Sequence, residues 1–464
     1  MATDLHYLSL GEVARRLKAR QCSSVDITQA ILDRIARLDP KLKAYATLTP
    51  EHALEEARAR DRETAAGISR GPLHGVPIAV KDLCNTENVP TAAGMPIHWK
   101  NVPDRDATVV ARLKAAGAVI LGKLQMTEGA YGGHHPDIPA PVNPWNARYW
   151  TGSSSSGSGA ATAAGLCYGS LGSDTGGSIR FPSTMNGLSG LKPTWGRVSR
   201  AGVFALAESL DHIGPMTRSA RDCAIMLGVI AGADADDPTA SLLPVPDYVQ
   251  ALEQGVRGKR IGVPSKLREL DEASGRALDC ASVTLKKAGA ELVDIVLPPS
   301  FRAASRDWEA LCAVEAALAH EATYPSRAAE YGPVLKNLIE MGRSASAIEI
   351  ARMQVRRAAL VGEMNTLLAS IDLLLLPVMA QATWTIEALA AAGRGPESVA
   401  ARLRFTAPLD MTGHPTLTLP GGMTSDGVPT GFQIAGRAFD EAGILAAGDA
   451  YQQLSDWHLK RPPL

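Results

Sequence analysis

Gly75-Val-Pro-Ile-Ala-Val-Lys-Asp82 is a short apolar run that ends on two charges. It reads as a buried strand. Downstream, Ala107–Ala116 has the pattern of a helix with Val109, Val110 and Leu113 turned inward, and Ala118-Val-Ile-Leu121 is the next strand. Strand, helix and strand at this spacing argue for βαβ units and a sheet covered on both faces, hence an α/β fold.

Outward from that unit, the N-terminal residues 1–66 read as a helical layer. Ser9-Leu-Gly-Glu12 fits a capping box and Ser23-Ser-Val-Asp26 is a looser start signal. Ile27, Ile31, Leu32, Ile35 and Leu38 then repeat at helical spacing before Pro40, and Glu51–Ala66 reads as a charged surface helix. Toward the C-terminus, Arg260–Val263, a helix near Ala273–Ala288 and Glu291–Val296 again alternate as α/β. Ser300–Leu368 is mostly helical, and the apolar run Leu373–Met379 reads as a buried strand. Pro415–Pro420 and Gly431–Gly436 follow as late strands and Asp440–Leu454 as a final helix. Thr385–Arg404, rich in Ala and Gly, is the stretch expected to be most mobile. With no internal repeat and no clean linker, residues 1–464 are expected to form one domain: the helical layer, a core over 67–220, and the remaining sheet, helices and pocket lid over 221–464.

Hydrophobic residues make up 45% of the 464 and charged residues 20%, an ordinary balance for a globular protein, with a net charge of −1. That charge points to no nucleic-acid partner. The polar start Met1-Ala-Thr-Asp-Leu-His6 is not a signal peptide, and Leu373–Met379 is far too short to span a membrane. Six scattered cysteines without a C-x-x-C pair read as packed thiols of a cytoplasmic protein.

Several motif matches fail on inspection. Gly117-Ala-Val-Ile-Leu-Gly-Lys123 has the spacing of a phosphate-binding loop, but Leu124 stands where Mg²⁺ needs a hydroxyl, and the interior is a strand. Gly157-Ser-Gly159 lacks the third glycine of a dinucleotide fingerprint. His134-His135 lacks the i, i+4 spacing of a zinc helix, so neither metal nor cofactor is expected. Gly187-Leu-Ser-Gly190 is not a nucleophile elbow.

Two loops remain, Gly152-Ser-Ser-Ser-Ser-Gly-Ser-Gly159 and Gly172-Ser-Asp-Thr-Gly-Gly-Ser-Ile-Arg-Phe-Pro182. In the second, consecutive amides of Thr175, Gly176, Gly177 and Ser178 would point at one spot as an oxyanion hole, with Ser178 placed as an acyl-transfer nucleophile. Read alone, the loop is a glycine-rich turn capped by serine. Lys81, drawn inward by the apolar run before it, would lose charge on burial and become a usable base. Read alone, it is a strand-end lysine that reaches solvent or pairs with Asp82.

Together, in order, these pieces resemble the amidase signature family, which carries a G-V-P-x-x-x-K-D segment, a G-G-S-S-G-G-type loop and a D-x-G-G-S-I-R-x-P segment. Gly75–Asp82, Gly152–Gly157 and Asp174–Pro182 match them, and the resemblance runs on through Gly190–Thr194, Leu210–Met216, Gly422–Gly436 and the Trp457-His…Arg461-Pro-Pro ending. It implies an α/β/α sandwich about a mixed β-sheet, with Ser178 as nucleophile, Ser154 as a proton-bridging serine on a cis peptide, and Lys81 as base. It also implies a supporting hydrogen bond from Ser155 and an oxyanion hole over Thr175–Ser178. The run departs from the family at Ser153 and Ser156, which replace glycines. The 24-residue offset to Ser178 selects Ser154, with Ser153 and Ser155 as the adjacent alternatives.

The resemblance further implies a serine amidohydrolase acting on small amides, esters or carbamates, as a monomer or homodimer and without a membrane. Met126–Tyr131 matches the segment that lines the acyl pocket in relatives, making Tyr131 and Gly129 substrate-binding candidates. A pocket with few fixed charges would favour neutral amides, anilides or carbamates. The alternatives are the glutamine-hydrolysing A subunit of a tRNA-dependent amidotransferase and a catalytically silent scaffold of the same fold.

Overall fold

A computed structural model describes residues 5–264, 267 and 270–464. Four residues of the polar start, Met1–Asp4, lie outside that set. One mixed eleven-stranded sheet runs through the molecule in the order β1-β3-β2-β4-β6-β5-β10-β11-β9-β7-β8. The strands are β1 (Tyr45–Leu48), β2 (Pro77–Lys81), β3 (Val119–Leu124), β4 (Gly169–Asp174), β5 (Ser189–Lys192) and β6 (His212–Thr217). They continue as β7 (Arg260–Pro264), β8 (Glu291–Ile295), β9 (Leu373–Pro377), β10 (Thr416–Met423) and β11 (Pro429–Gly436). Parallel pairs lie toward both ends of the sheet, β3–β2–β4 and β9–β7–β8. The centre, from β4 through β6, β5, β10 and β11 to β9, is antiparallel.

Alternation along a strand sends successive side chains to opposite faces, and the two faces of β11 show what covers each. Phe432 stacks edge-on against Tyr451 of the helix Glu441–Gln453, ring centroids 4.8 Å apart. Its neighbour Gln433 accepts a hydrogen bond at 3.4 Å from Arg180, which begins the helix Arg180–Asn186 on the other face. Helices therefore cover both sides of the sheet, as the βαβ pattern predicts. All five residues of β9 are buried, because it pairs with β11 on one side and β7 on the other.

The predicted elements appear with small shifts. The strand read from Gly75–Asp82 is β2, and the helix read from Ala107–Ala116 is Thr108–Ala115 with Val109, Val110 and Leu113 buried. The stretch of phosphate-loop spacing is β3, and Lys123 within it is buried, its ammonium donating to Cys84 O and Thr91 Oγ1. Two start signals exchange rank. Ser9 accepts from Glu12 N at 3.1 Å, but the Glu12 carboxylate is taken by Arg15 and Arg16, so that box is half made. The Ser23–Asp26 box is complete in both directions. The helix it starts runs through Pro40 to Leu42, because a proline in the last turn forfeits only one main-chain bond there. Thr385–Arg404 contributes two short helices, Ile386–Ala391 and Pro396–Leu403. None of the described helices is long and apolar enough to cross a membrane.

Candidate active site

β2 and β4 are parallel neighbours, with Ala79 level with Ser170, so their C-terminal ends deliver Lys81, Ser173 and Asp174 to one place. The first serine loop sits on the second. Gly152 (φ 84°) packs so closely that a Cβ there would lie 2.4 Å from Pro182 Cα. That approach is open only to glycine.

Lys81 is fully buried, and its Nζ lies 2.6 Å from Ser154 Oγ, 2.9 Å from Ser155 Oγ and 2.8 Å from Ser173 Oγ. Burial lowers its pKa to about 7, with the Asp174 and Asp211 carboxylates opposing only part of that fall. Ser155 Oγ is fully engaged. It accepts from Lys81 and from Ser173 N (3.2 Å) and donates to Ser173 O (3.2 Å). Ser154 Oγ, by contrast, is bonded to Lys81 alone among the described residues. The peptide between Ser153 and Ser154 is cis. Ser173, missed by the sequence reading, stands one residue before the second motif's aspartate, where strand alternation turns it to the opposite side from Asp174.

Ser178 is half-buried in the turn between β4 and the helix Arg180–Asn186. Asp174 ties this turn together. Its carboxylate accepts from the amides of Gly177, Ile179 (3.0 Å) and Arg180 (3.3 Å) and from the Arg180 guanidinium at 2.9 and 3.0 Å. Burial alone would raise that carboxyl, but Arg180 and the amides hold it well below the usual carboxylate range. The Gly177 amide is therefore committed to Asp174, and Gly177 does not line the cavity beside Ser178, which corrects its expected place in an oxyanion hole.

The loop carbonyls are also fixed. Trp308 Nε1 donates to Thr175 O at 2.6 Å and Thr406 Oγ1 donates to Gly176 O at 2.6 Å. A trans peptide points its N–H away from its C=O, so these two bonds set the planes of the Thr175–Gly176 and Gly176–Gly177 peptides. A Cβ on Gly176 would lie 2.5 Å from the Trp308 ring, so only glycine allows this packing. The Thr175 side chain donates to Asp211 Oδ1 at 2.6 Å, and Asp211 accepts Leu206 N and Ala207 N through its other oxygen. Asp211 lies in a segment matched to the family, but without an assigned role. Trp308 and Thr406 come from parts of the chain that carry no motif.

A cavity of about 210 Å³ opens beside Ser178. Ser153, Thr175 and Gly176 share its floor with Ser178, and Trp150, Phe181 and Trp308 are among its apolar walls. Tyr131 lines it and donates to Glu309 Oε1 at 3.3 Å. Gly129 does not line it. With φ 53° it is buried, and a Cβ there would meet Leu335 at 2.7 Å, so it serves the turn that presents Tyr131. Three ionisable side chains, Glu309, Arg394 and Arg402, also line the cavity, which corrects the expectation of a pocket with few charges. Arg394 and Arg402 arrive with the two short helices of residues 385–404, a placement no local pattern announces.

His134 and His135 part company: His134 Nε2 lies 3.2 Å from Ser156 Oγ, while His135 Nδ1 accepts from Asp137 N. No group of three His, Cys, Asp or Glu side chains that could hold a metal ion is found among the described residues.

A family model described as Amidase matches residues 26–445. AmiD, a candidate amidase of Mycobacterium tuberculosis (strain ATCC 25618 / H37Rv), is 49% identical over 458 residues, 98% of this chain and 96% of that protein. The A subunit of the glutamyl-tRNA(Gln) amidotransferase from Chloroflexus aggregans is 38% identical over 489 residues, 100% of this chain and 99% of its own length. Among solved structures, the native peptide amidase from Stenotrophomonas maltophilia superposes with a TM-score of 0.84 at 31% identity, over 99% of this chain and 98% of that one.

Proposed function

The chain belongs to the amidase signature family, a family of amidohydrolases, and from that premise we propose that it cleaves C–N bonds of small amides, anilides or carbamates through an acyl-enzyme on Ser178. One observation carries the reading: a buried Lys81 amine stands within 2.6–2.9 Å of three serine hydroxyls, Ser154, Ser155 and Ser173.

Neutral Lys81 takes the Ser154 hydroxyl proton while Ser154 Oγ takes the proton of Ser178. Ser178 Oγ bonds to the substrate carbonyl carbon as its proton leaves. The carbonyl oxygen gains the negative charge, and the amides of Thr175, Gly176 and Ser178, none of which donates to another described residue, receive it. The proton then returns through Ser154 to the leaving nitrogen, the C–N bond breaks, and the amine departs. Water repeats the sequence on the Ser178 ester and releases the acid. Ser155 and Ser173 hold the Lys81 amine in line with Ser154.

A fluorophosphonate should label Ser178, and Ser178→Ala should lose both the label and amide turnover. Labelling elsewhere, or an active Ser178→Ala variant, would refute the assignment, and no labelling of an active-site serine would favour the silent-scaffold alternative. The 38% identity to amidotransferase A subunits supports a second reading, glutamine hydrolysis within a larger complex. Turnover of an anilide by the isolated chain, with glutamine left intact, would exclude it.

A further inference from the structure

The charges inside the cavity do not balance. Arg394 and Arg402 line it against a single carboxylate, Glu309. Glu309 is occupied, since it accepts the Tyr131 hydroxyl at 3.3 Å and burial pushes its carboxyl up. Arg402 is occupied as well, donating to Gly393 O at 3.1 Å and Ser398 Oγ at 2.7 Å. Arg394 is different. Among the described residues no hydrogen bond or ion pair reaches its guanidinium, and it is exposed where the cavity meets solvent.

Its seat is nevertheless shaped. The guanidinium lies against the backbone of Gly132 and Gly133: a Cβ on either would fall 2.8 and 3.0 Å from its nitrogens. Val334 closes the other side of Gly132, 3.0 Å from the same Cβ position. The bare Gly132–Gly133 backbone leaves the planar fork free to face a ligand in the cavity. A guanidinium with no internal acceptor, beside a second arginine and one carboxylate that is already engaged, favours a planar anion that can take two parallel N–H bonds.

We propose that Arg394 is the specificity-determining residue of this site and that the preferred substrates are amides carrying a carboxylate on the chain that fills the cavity, remote from the scissile bond. This deepens the amidohydrolase reading and rests on it. With the substrate bound, two arginines meet two carboxylates, Glu309 and that of the substrate.

The experiment compares adipamate with hexanamide, which differ only in the terminal carboxylate. N-acetyl-6-aminohexanoate against N-hexylacetamide places the carboxylate on the leaving amine instead. The wild-type enzyme should favour the carboxylate-bearing member of one pair by ~10-fold or more in kcat/KM, chiefly through KM. Arg394→Gln should remove that preference, lowering kcat/KM for the carboxylate-bearing member ~10-fold more than for the neutral one, and Arg394→Lys should restore part of it. Equal losses on charged and neutral substrates, or a wild-type preference for the neutral members, would overturn the proposal. Calorimetry on Ser178→Ala reads the subsite without turnover. Adipamate should bind more tightly than hexanamide, and the difference should vanish on adding Arg394→Gln. No hydrolysis with intact binding discrimination would sink the amidohydrolase reading and leave the subsite standing; hydrolysis without discrimination would do the reverse.

Discussion

At the scale of single residues, Lys81 as the proposed base should decide the pH behaviour. A lysine acts as a base only when neutral, and burial brings its pKa from 10.5 to about 7. The active form is therefore the one present above that pKa. We expect kcat/KM to rise tenfold per pH unit on the acid side and to level off above a midpoint near 7, where the lysine is fully deprotonated. A limb still climbing at pH 10 would mean that Lys81 titrates as an ordinary surface amine. Lys81→Ala should lower kcat/KM by ~10³-fold or more and abolish that limb. The four-serine run poses a second question at this scale, since its composition cannot say which hydroxyl relays the proton. Geometry can. Ser155 Oγ already holds three hydrogen bonds, whereas Ser154 Oγ has only Lys81. Ser154→Ala should cost ~10³–10⁴-fold in kcat, because the proton path is cut. Ser155→Ala should cost less, ~10-fold, with its pH midpoint moved, because it loosens the lysine without cutting the path. Single-turnover rates with an activated ester and an amide separate these outcomes; equal losses in the two variants would contradict the division of roles.

At the scale of elements, the turn between β4 and the helix Arg180–Asn186 is shaped by what grips its carbonyls. Trp308, from the helix Pro299–Ala319, bonds Thr175 O at 2.6 Å and so sets the direction of the Gly176 amide. Trp308→Phe deletes that donor together with the indole atoms, Cζ2 and Cε2, that pack on Gly176. We expect kcat to fall ~10-fold with KM little changed, since an amide aimed at the developing oxyanion acts in the transition state. A rise in KM alone would instead leave Trp308 as a wall of the cavity with no part in aiming the amide. This turn also shows how far the sequence could be read. Ser178, Lys81 and the serine run were legible because each lies in a short motif whose residue types imply a chemistry. The strands around them were legible because buried runs and helical repeats are local patterns. Trp308, Thr406 and Glu309 were not, because each is an ordinary residue of an ordinary segment and acquires a role only through contacts more than a hundred residues away. Ser173 lay within reach, since alternation along β4 separates its side chain from that of Asp174. The Gly177 amide was misassigned because a glycine pair announces backbone freedom without announcing direction.

At the scale of the whole molecule, the turn that carries Ser178 belongs to both halves of the sheet at once. Arg180 grips Asp174 on β4 with two nitrogens, at 2.9 and 3.0 Å, and also reaches Asp410, Thr406 O at 3.0 Å and Gln433 on β11. All of this is buried: side-chain exposure is 0% for Arg180, Asp174 and Asp410 alike. The strands before residue 220 and those after 260 therefore share one charged hub at the turn that carries Ser178. The two carboxylates are not equivalent. Asp174 is held low by Arg180, whereas burial pushes Asp410 well above the carboxylate range. Removing the cation should therefore be far worse than neutralising the second acid. Arg180→Met strands a buried carboxylate and should destabilise the fold by ~3–5 kcal/mol, the cost typical of breaking a buried ion pair from one side. Asp410→Asn keeps the shape and an acceptor oxygen and should cost ~1 kcal/mol or less. Guanidinium unfolding followed by tryptophan fluorescence, with turnover measured on the same samples, tests the pair. If Asp410→Asn proved as damaging as Arg180→Met, the hub would depend on two full ion pairs, and the asymmetry between its carboxylates would be wrong.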